Sequence, residues 1–408
     1  VRILLLAIRN LVRHKRKTFV TLLALILGLA GMVVFQGFLT QAMDGFRDSM
    51  ILSGLGHVEV AGESGYFEDG ETNPYSYPWK NFSQVSEVLK SHPGVRAVIP
   101  SVGFLAVAGL GEASTTLQIK GYPADRMYFA QGTGIARPPL DRFNLGDWKE
   151  GTRLSPADRD RLILGETAAR ILGAKVGDTL TLMTPLPGNR LVGRDFTVAG
   201  IYRSPYTEKF VAYTDETTAM AVTGLTVPPV LSILIDSLDH VDAVVRSLPP
   251  GTAFRTYQDL ATLWVQVNSL LNSFLVFIRT VILLVTLFIL ANAMNRVVLE
   301  RMTEWGTLRA LGTSKADILS IVLVEGCLQG VAGAVLGIAL GFAVAGLIDV
   351  SGGLPYPNGA QTSIIFVVPT LESVWSNLVP AALVAALASL FPGLRAVRLT
   401  PTECLRHL

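Results

Sequence analysis

Composition, four apolar runs and one long polar interruption predict an α-helical membrane protein. It should have four transmembrane helices and a large mixed α/β extracytoplasmic domain, in two lobes, inserted between the first and second. Half of the 408 residues are hydrophobic and 16% are charged, with a mean hydropathy of +0.45. An ordinary soluble domain is about a quarter charged. A spanning helix needs roughly 20 mostly apolar residues. Four runs qualify: "TFVTLLALILGLAGMVVFQGFL" from 18, "FLVFIRTVILLVTLFILANAM" from 274, "ILSIVLVEGCLQGVAGAVLGIALGFAVAGLI" from 318 and "ESVWSNLVPAALVAALASLF" from 372.

Residues 1–17 read as a cytoplasmic amphipathic helix with Arg9, Arg13, Lys15, Arg16 and Lys17, leading into a first span at 18–42. That apolar run exceeds a signal-peptide core, and no small-x-small site follows, so it reads as an uncleaved anchor. Further spans are expected at 267–297, 318–348 and 372–394. The last contains Asn377, Pro380 and Ser389, and membrane helices tolerate proline. Basic residues recur between spans two and three (Arg296, Arg301, Arg309, Lys315) and in the tail 395–408 (Arg395, Arg398, Arg406). The loop 349–371 has none. Positive residues stay inside, so both termini and the segment 298–317 are expected in the cytoplasm, and 43–266 outside. Trp264 and Trp375 fall near the outer ends of spans two and four, as interfacial anchors do.

Within the insert, "HVEVAG" from 57 alternates like a strand, and 81–102 reads as a capped helix, a Pro-Gly turn and a strand. "TTLQIKGY" and "VLSILIDS" are further strands, and "VDAVVRSL" a short helix. "LILGETAARILGAKVGDTLTLM" from 162 reads as strand, helix, glycine turn and strand, followed by a strand in "RDFTVAGIYRS". Strand–helix–strand units at both ends with a β-rich middle predict an outer α/β lobe with a second lobe inserted at about 140–225.

Catalytic and metal-binding signatures are missing from the sequence. There is no G-x-x-x-x-G-K-[ST], H-E-x-x-H, G-x-S-x-G or C-x-x-C. The five histidines are scattered and read as surface residues, and Cys327 and Cys404 form no zinc-type spacing. "GLGE" from 109 reads as a hairpin turn rather than a phosphate loop. A net charge of +2 names no partner, and no nucleic acid is expected.

Three features inside the spans remain. Gly326 and Gly330, then Gly333, Gly337 and Gly341, form two ridges of four-residue spacing that allow close helix approach. Packing within the chain is the reading taken, with a dimer seam as its rival. Glu325 is an intramembrane carboxylate, a candidate functional group by default, and its role stays open. Arg279 lies about 26 Å of helix from Arg296, so each is expected to reach an opposite interface.

The stretch "ERMTEWGTLRALGTSKADILSIVLVEGCLQGVAGAVLGIALG" resembles the signature of the FtsX-like permeases, the superfamily of MacB-type exporters and lipoprotein-releasing permeases. In that family the E-x-G-x-x-R-A-L-G run forms a cytoplasmic helix coupled to an ATP-binding-cassette subunit. The matching residues are Glu304, Gly306, Arg309, Ala310, Leu311 and Gly312, followed by Glu325 and the glycine ridges. "AIRNLVRHKRKTFVTLLALILG" is similar to the family's basic leading helix, and "LRAVRLTPTECLRHL" to its closing motif, here Pro401, Leu405 and Arg406. "HPGVRAVIP" and "LILGETAARILGAKVGDTLTL" look like pieces of its periplasmic domain. Trp305 departs from the usual aliphatic residue and Cys404 from a small one.

The resemblance covers essentially the whole chain. It implies a dimeric permease in a bacterial inner membrane that works by mechanotransmission and is not itself an enzyme. The chain opens almost directly at the leading helix, which points to a separate ATPase holding ATP and magnesium, with no cofactor in this chain. The implied partners are that ATPase, a second copy or paralogue, a periplasmic acceptor, carrier or adaptor, and membrane lipids. Extraction of lipoproteins or lipids is the expected work. The alternatives are efflux with an adaptor, or regulation of a cell-wall hydrolase without transport.

Overall fold

The computed structural model describes residue 9 and residues 15–70, 74–77, 79–130, 141–187, 190–204, 209–358 and 361–398. Most of the leading segment 1–17, and the tail residues Pro401, Cys404, Leu405 and Arg406, lie outside the described residues. In chain order the structure runs from α1 (Lys15–Met50) through a short π-helical turn to β1 (Val58–Ala61), α2 (Phe82–Ser91), β2 (Val95–Leu110), β3 (Ala113–Tyr122) and β4 (Met127–Ala130). Next come β5 (Phe143–Gly151), β6 (Arg161–Gly165), α3 (Glu166–Leu172), β7 (Thr179–Leu186), β8 (Arg190–Arg203), β9 (Val211–Asp215) and α4 (Glu216–Thr223). Then follow β10 (Val230–Ile235), α5 (Val241–Arg246), β11 (Ala253–Thr256), α6 (Thr262–Glu300), α7 (Met302–Ala310) and α8 (Lys315–Val350). The short strands β12 (Leu354–Asn358) and β13 (Gln361–Ile365) and the helix α9 (Leu371–Arg398) complete it.

Two compact units emerge, one built on the long helices and one on the residues between α1 and α6. In the helical unit, α1, α6, α8 and α9 are each long and apolar enough to cross a membrane. The helices α1 and α6 hold 36 and 39 residues and overrun the apolar runs that mark them in the sequence. Hydropathy marks the hydrocarbon slab, whereas a helix ends only where its backbone hydrogen bonding stops. The loop expected at 349–371 contains the β12–β13 pair.

The glycine ridges of α8 point two ways. A Cβ at Gly326 or Gly330 would collide with Ser389 and Ala385 of α9, respectively. At Gly333, Gly337 and Gly341 it would come within 2.9 Å of Leu25 and Leu29 and 2.8 Å of Val33, all on α1. Two neighbouring helices therefore touch the α8 backbone on separate faces, and both partners belong to this chain.

The inserted domain is an 11-stranded mixed sheet of order β11-β1-β10-β2-β3-β9-β6-β8-β5-β4, with β7 pairing β2 and β8. The strand β2 is 16 residues long: Val95–Ser101 pairs with β10, and Val102–Leu110 with β3. "GLGE" is the β2–β3 hairpin, with Leu110 opposite Ala113 and Gly111 at φ +60°. The helix α2 starts where expected, but Asn81 makes no side-chain cap; its Oδ1 accepts from Trp79 Nε1 at 3.0 Å. Among the histidines expected at the surface, His57 is half-buried, and its Nδ1 accepts from the Ile235 amide at 3.2 Å.

Two outcomes follow. Gly337→Leu should break the α1–α8 packing, because the Ile26 carbonyl oxygen would lie 3.0 Å from the new Cβ and backbone yields poorly. Gly346→Leu, where a Cβ meets nothing within 4 Å, should melt like wild type. Thermal unfolding of the two variants in detergent checks this; equal melting of Gly337→Leu and wild type refutes it. Separately, burial lowers the His57 pKa from 6.5 to about 4, Asp48 and Asp236 opposing and Arg47 assisting. The native state thus binds this proton less well than the unfolded chain, and stability falls as pH drops from about 6.5 towards 4. Relative to His57→Gln, the wild type should lose up to roughly 3 kcal/mol across that window. Denaturation of the full chain at stepped pH measures the difference; a constant gap between the two proteins contradicts it.

Candidate functional site

The helix α7 and its flanks hold the predicted site residues. Its ends are set by local chemistry. At the C-terminus, Thr313 N donates to Leu308 O and Gly312 N to Arg309 O, each at 3.0 Å, and Gly312 takes φ +93°. That is a Schellman closure, which needs a left-handed residue at the position Gly312 occupies. Two residues further, the Ser314 side chain accepts from Asp317 N at 3.1 Å and donates to the Asp317 carboxylate at 2.6 Å, capping α8. The chain thus reverses from α7 into α8 within four residues, Leu311–Ser314.

The centre of the site is a residue that the sequence marks only as a basic flank. Arg301, between α6 and α7, is 8% exposed. Its Nε donates to Glu304 Oε2 at 2.8 Å, its Nη1 to Glu325 Oε2 at 3.3 Å, and its guanidinium carbon lies 4.5 Å from the centroid of the Trp305 ring. Glu325 is 2% and Trp305 1% exposed. Arginine suits this place because its planar fork can meet two carboxylates and an aromatic face together. Around it, Leu290, Met294 and Val298 of α6, Ile318 and Val322 of α8, and Ala388 of α9 form one buried cluster with Trp305. The aromatic ring at 305 is therefore the inward-facing wall of the site. One helical turn holding Arg, Glu at i+3 and Trp at i+4, facing a lone intramembrane Glu325, was the available signal.

The remaining predicted residues fall into two groups. Gly306 is buried beside Trp305. Arg309, expected to face a partner, donates from Nη1 to the Val397 carbonyl of α9 at 3.3 Å and braces this chain's own last helix. Ala310, Leu311 and Gly312 are exposed, Leu311 at 79%. The site therefore has an ionic inner face and an apolar outer tip. Among the described residues no cluster of His, Cys, Asp and Glu could hold a metal ion.

A family model described as MacB-like periplasmic core domain matches residues 18–252, and one described as FtsX-like permease C-terminal matches 276–401. The chain is 24% identical to the lipoprotein-releasing system transmembrane protein LolC of Neisseria meningitidis serogroup B, over 96% of this chain and 94% of that one. It is 24% identical to LolE of the corresponding system in Haemophilus influenzae, over 89% of each. It is 23% identical to the macrolide export ATP-binding/permease protein MacB of Psychrobacter cryohalolentis, over 96% of this chain but 57% of that one.

Removing one partner of a buried ion pair costs about 3–5 kcal/mol, whereas replacing the pair by apolar groups is often neutral. Glu325→Ala should therefore destabilise the helical unit strongly, and Arg301→Met combined with Glu325→Leu should recover much of the loss. Unfolding midpoints of the three proteins in mixed micelles decide it. Equal midpoints for Glu325→Ala and wild type would show that the pair holds nothing together.

Proposed function

The chain belongs to the family of ABC transporter permeases that combine a MacB-like periplasmic core domain with an FtsX-like C-terminal region, and we propose that it is the membrane subunit coupled to a separate cytoplasmic ATPase. On this reading ATP and magnesium are held by that ATPase, and this chain transmits motion without catalysing a reaction. One observation carries the proposal. Arg301 ties α7 to α8 through Glu304 and Glu325, while the Ala310–Gly312 tip stays exposed. A force on the tip would then reach a spanning helix through a buried ionic joint.

On this reading α7 and the end of α9 face the cytoplasm of a bacterial inner membrane and the α/β domain lies outside, an orientation favoured by the basic residues at the α7 end. We read that domain as an outer α/β lobe with a second lobe inserted at about 140–225, and in support of a division the buried residues of the two halves of β2 join different clusters. Lipoprotein or lipid extraction is the work proposed. It is supported by the near-full-length similarity to relatives named for lipoprotein release. A second permease copy or paralogue and a periplasmic acceptor complete the complex. Purification from native membranes tests the assignment: a lipoprotein carrier supports it, whereas an adaptor with a channel, or a cell-wall hydrolase, replaces it with efflux or regulation.

The tip supplies a sharper test. Losing a central apolar anchor of an interface costs about 2 kcal/mol or more, roughly a thirtyfold loss of affinity. Leu311→Glu should leave insertion and unfolding unchanged while reducing ATPase capture and permease-dependent ATP hydrolysis by at least tenfold. If it binds and drives the ATPase like wild type, α7 is only a re-entry turn.

A further inference from the structure

At the opposite end of the helical unit, three helices bring polar side chains to one level. Gln36 lies 19 residues beyond Lys17 on α1, Arg279 lies 17 before Arg296 on α6, and Asn377 lies 18 before Arg395 on α9. At 1.5 Å per residue these are about 28, 26 and 27 Å from the basic flanks. A hydrocarbon core is about 30 Å thick, so all three reach its far edge, where lipid headgroups begin.

The side chains converge. Gln36 Oε1 accepts from Asn377 Nδ2 at 3.1 Å and, at a long 3.5 Å, from Arg279 Nη2. Asn377 Nδ2 also donates to Ser373 O at 2.7 Å, and Asn377 is 2% exposed. Arg279, expected to reach an interface, lies at this level and lines a narrow crevice with Met32, Ile282, Ser376 and Asn377. Its Nε is shielded and has no hydrogen-bond partner, and no carboxylate among the described residues pairs with it. Arg279 as a whole is half-buried, so part of its side chain remains accessible.

A guanidinium has five N–H donors and no acceptor, and at this depth it has one weak amide contact. An uncompensated cation at a membrane edge is costly unless it finds an anion or water. The planar fork fits two oxygens of a phosphate. At this level the abundant phosphate is the headgroup of the surrounding bilayer. We infer that Arg279, held by Gln36 and backed by Asn377, forms a phosphate site that takes the phosphodiester headgroup of a membrane phospholipid between α1, α6 and α9. The lipid then sits at the edge of the bundle and supplies a counter-charge that no described residue supplies there.

The test uses the full chain purified as wild type, Arg279→Gln and Arg279→Lys. After passage through phosphatidylglycerol nanodiscs and mild detergent, native mass spectrometry counts retained phospholipid. Wild type should keep about one per chain, Arg279→Gln at least tenfold less, and Arg279→Lys an intermediate amount, since a point charge lacks the fork. Millimolar inorganic phosphate should leave wild-type occupancy unchanged. Equal retention by wild type and Arg279→Gln overturns the site, and displacement by inorganic phosphate overturns the lipid as its occupant. If Arg279→Gln fails to insert, wild type alone decides. Its melting temperature should be several degrees higher in phosphatidylglycerol than in phosphate-free glycolipid discs, and equal values overturn the proposal.

Discussion

The geometry at the α6–α8 end of the helical unit depends on burying Arg301. A guanidinium out of water is tolerable only if its donors are met in good geometry. Here one carboxylate comes from a residue one turn ahead and another from a different helix, and an indole covers one face. Those demands come from three directions and leave little freedom for the angle at which α6 gives way to α7. The apolar cluster around Trp305 excludes water from the joint and so strengthens the attraction inside it. With the joint fixed, the Schellman turn at Gly312 and the Ser314 cap return the chain into α8 with no slack residues.

The inserted domain solves a different problem, that of joining sheet segments without exposing an edge between them. The strand β2 does this by length, since its first half lies beside β10 and its second beside β3 and β7. Its buried residues alternate along most of its length, as a strand with one covered face requires. Ala97 and Ile99 join one cluster, while Phe104, Ala106 and Ala108 join another.

Much of this could be read from the residues. "LILGETAARILGAKVGDTLTLM" shows its strand, helix and turn because α3 ends on Gly173 at φ +67°, a position that the glycine advertises. The α8 ridges were visible as spacing, although the spacing could not say that one meets α9 and the other α1. What stayed hidden depends on contacts distant in sequence. Arg301 looks like any flanking cation until Glu325, 24 residues on, is packed against it. The burial of His57 needs β10, 178 residues away, to bring Ile235 to its ring. The contact of Arg279 with Gln36, which also accepts from Asn377, joins three helices distant in sequence. Periodicity reports the face of one element, and such pairings are written in none.

The two glycine ridges also bear on how the helical unit deforms. Where side chains separate helices, rotamer changes can absorb small displacements, and a push at one end dissipates along the way. Along α8 there is little side chain to yield: Leu29 and Val33 press on bare backbone on one face and Ala385 on the other. The helices α1, α8 and α9 are thus set as a stiff slab along these ridges. A displacement that reaches α8 through Glu325 would therefore pass to α1 and α9 with little loss.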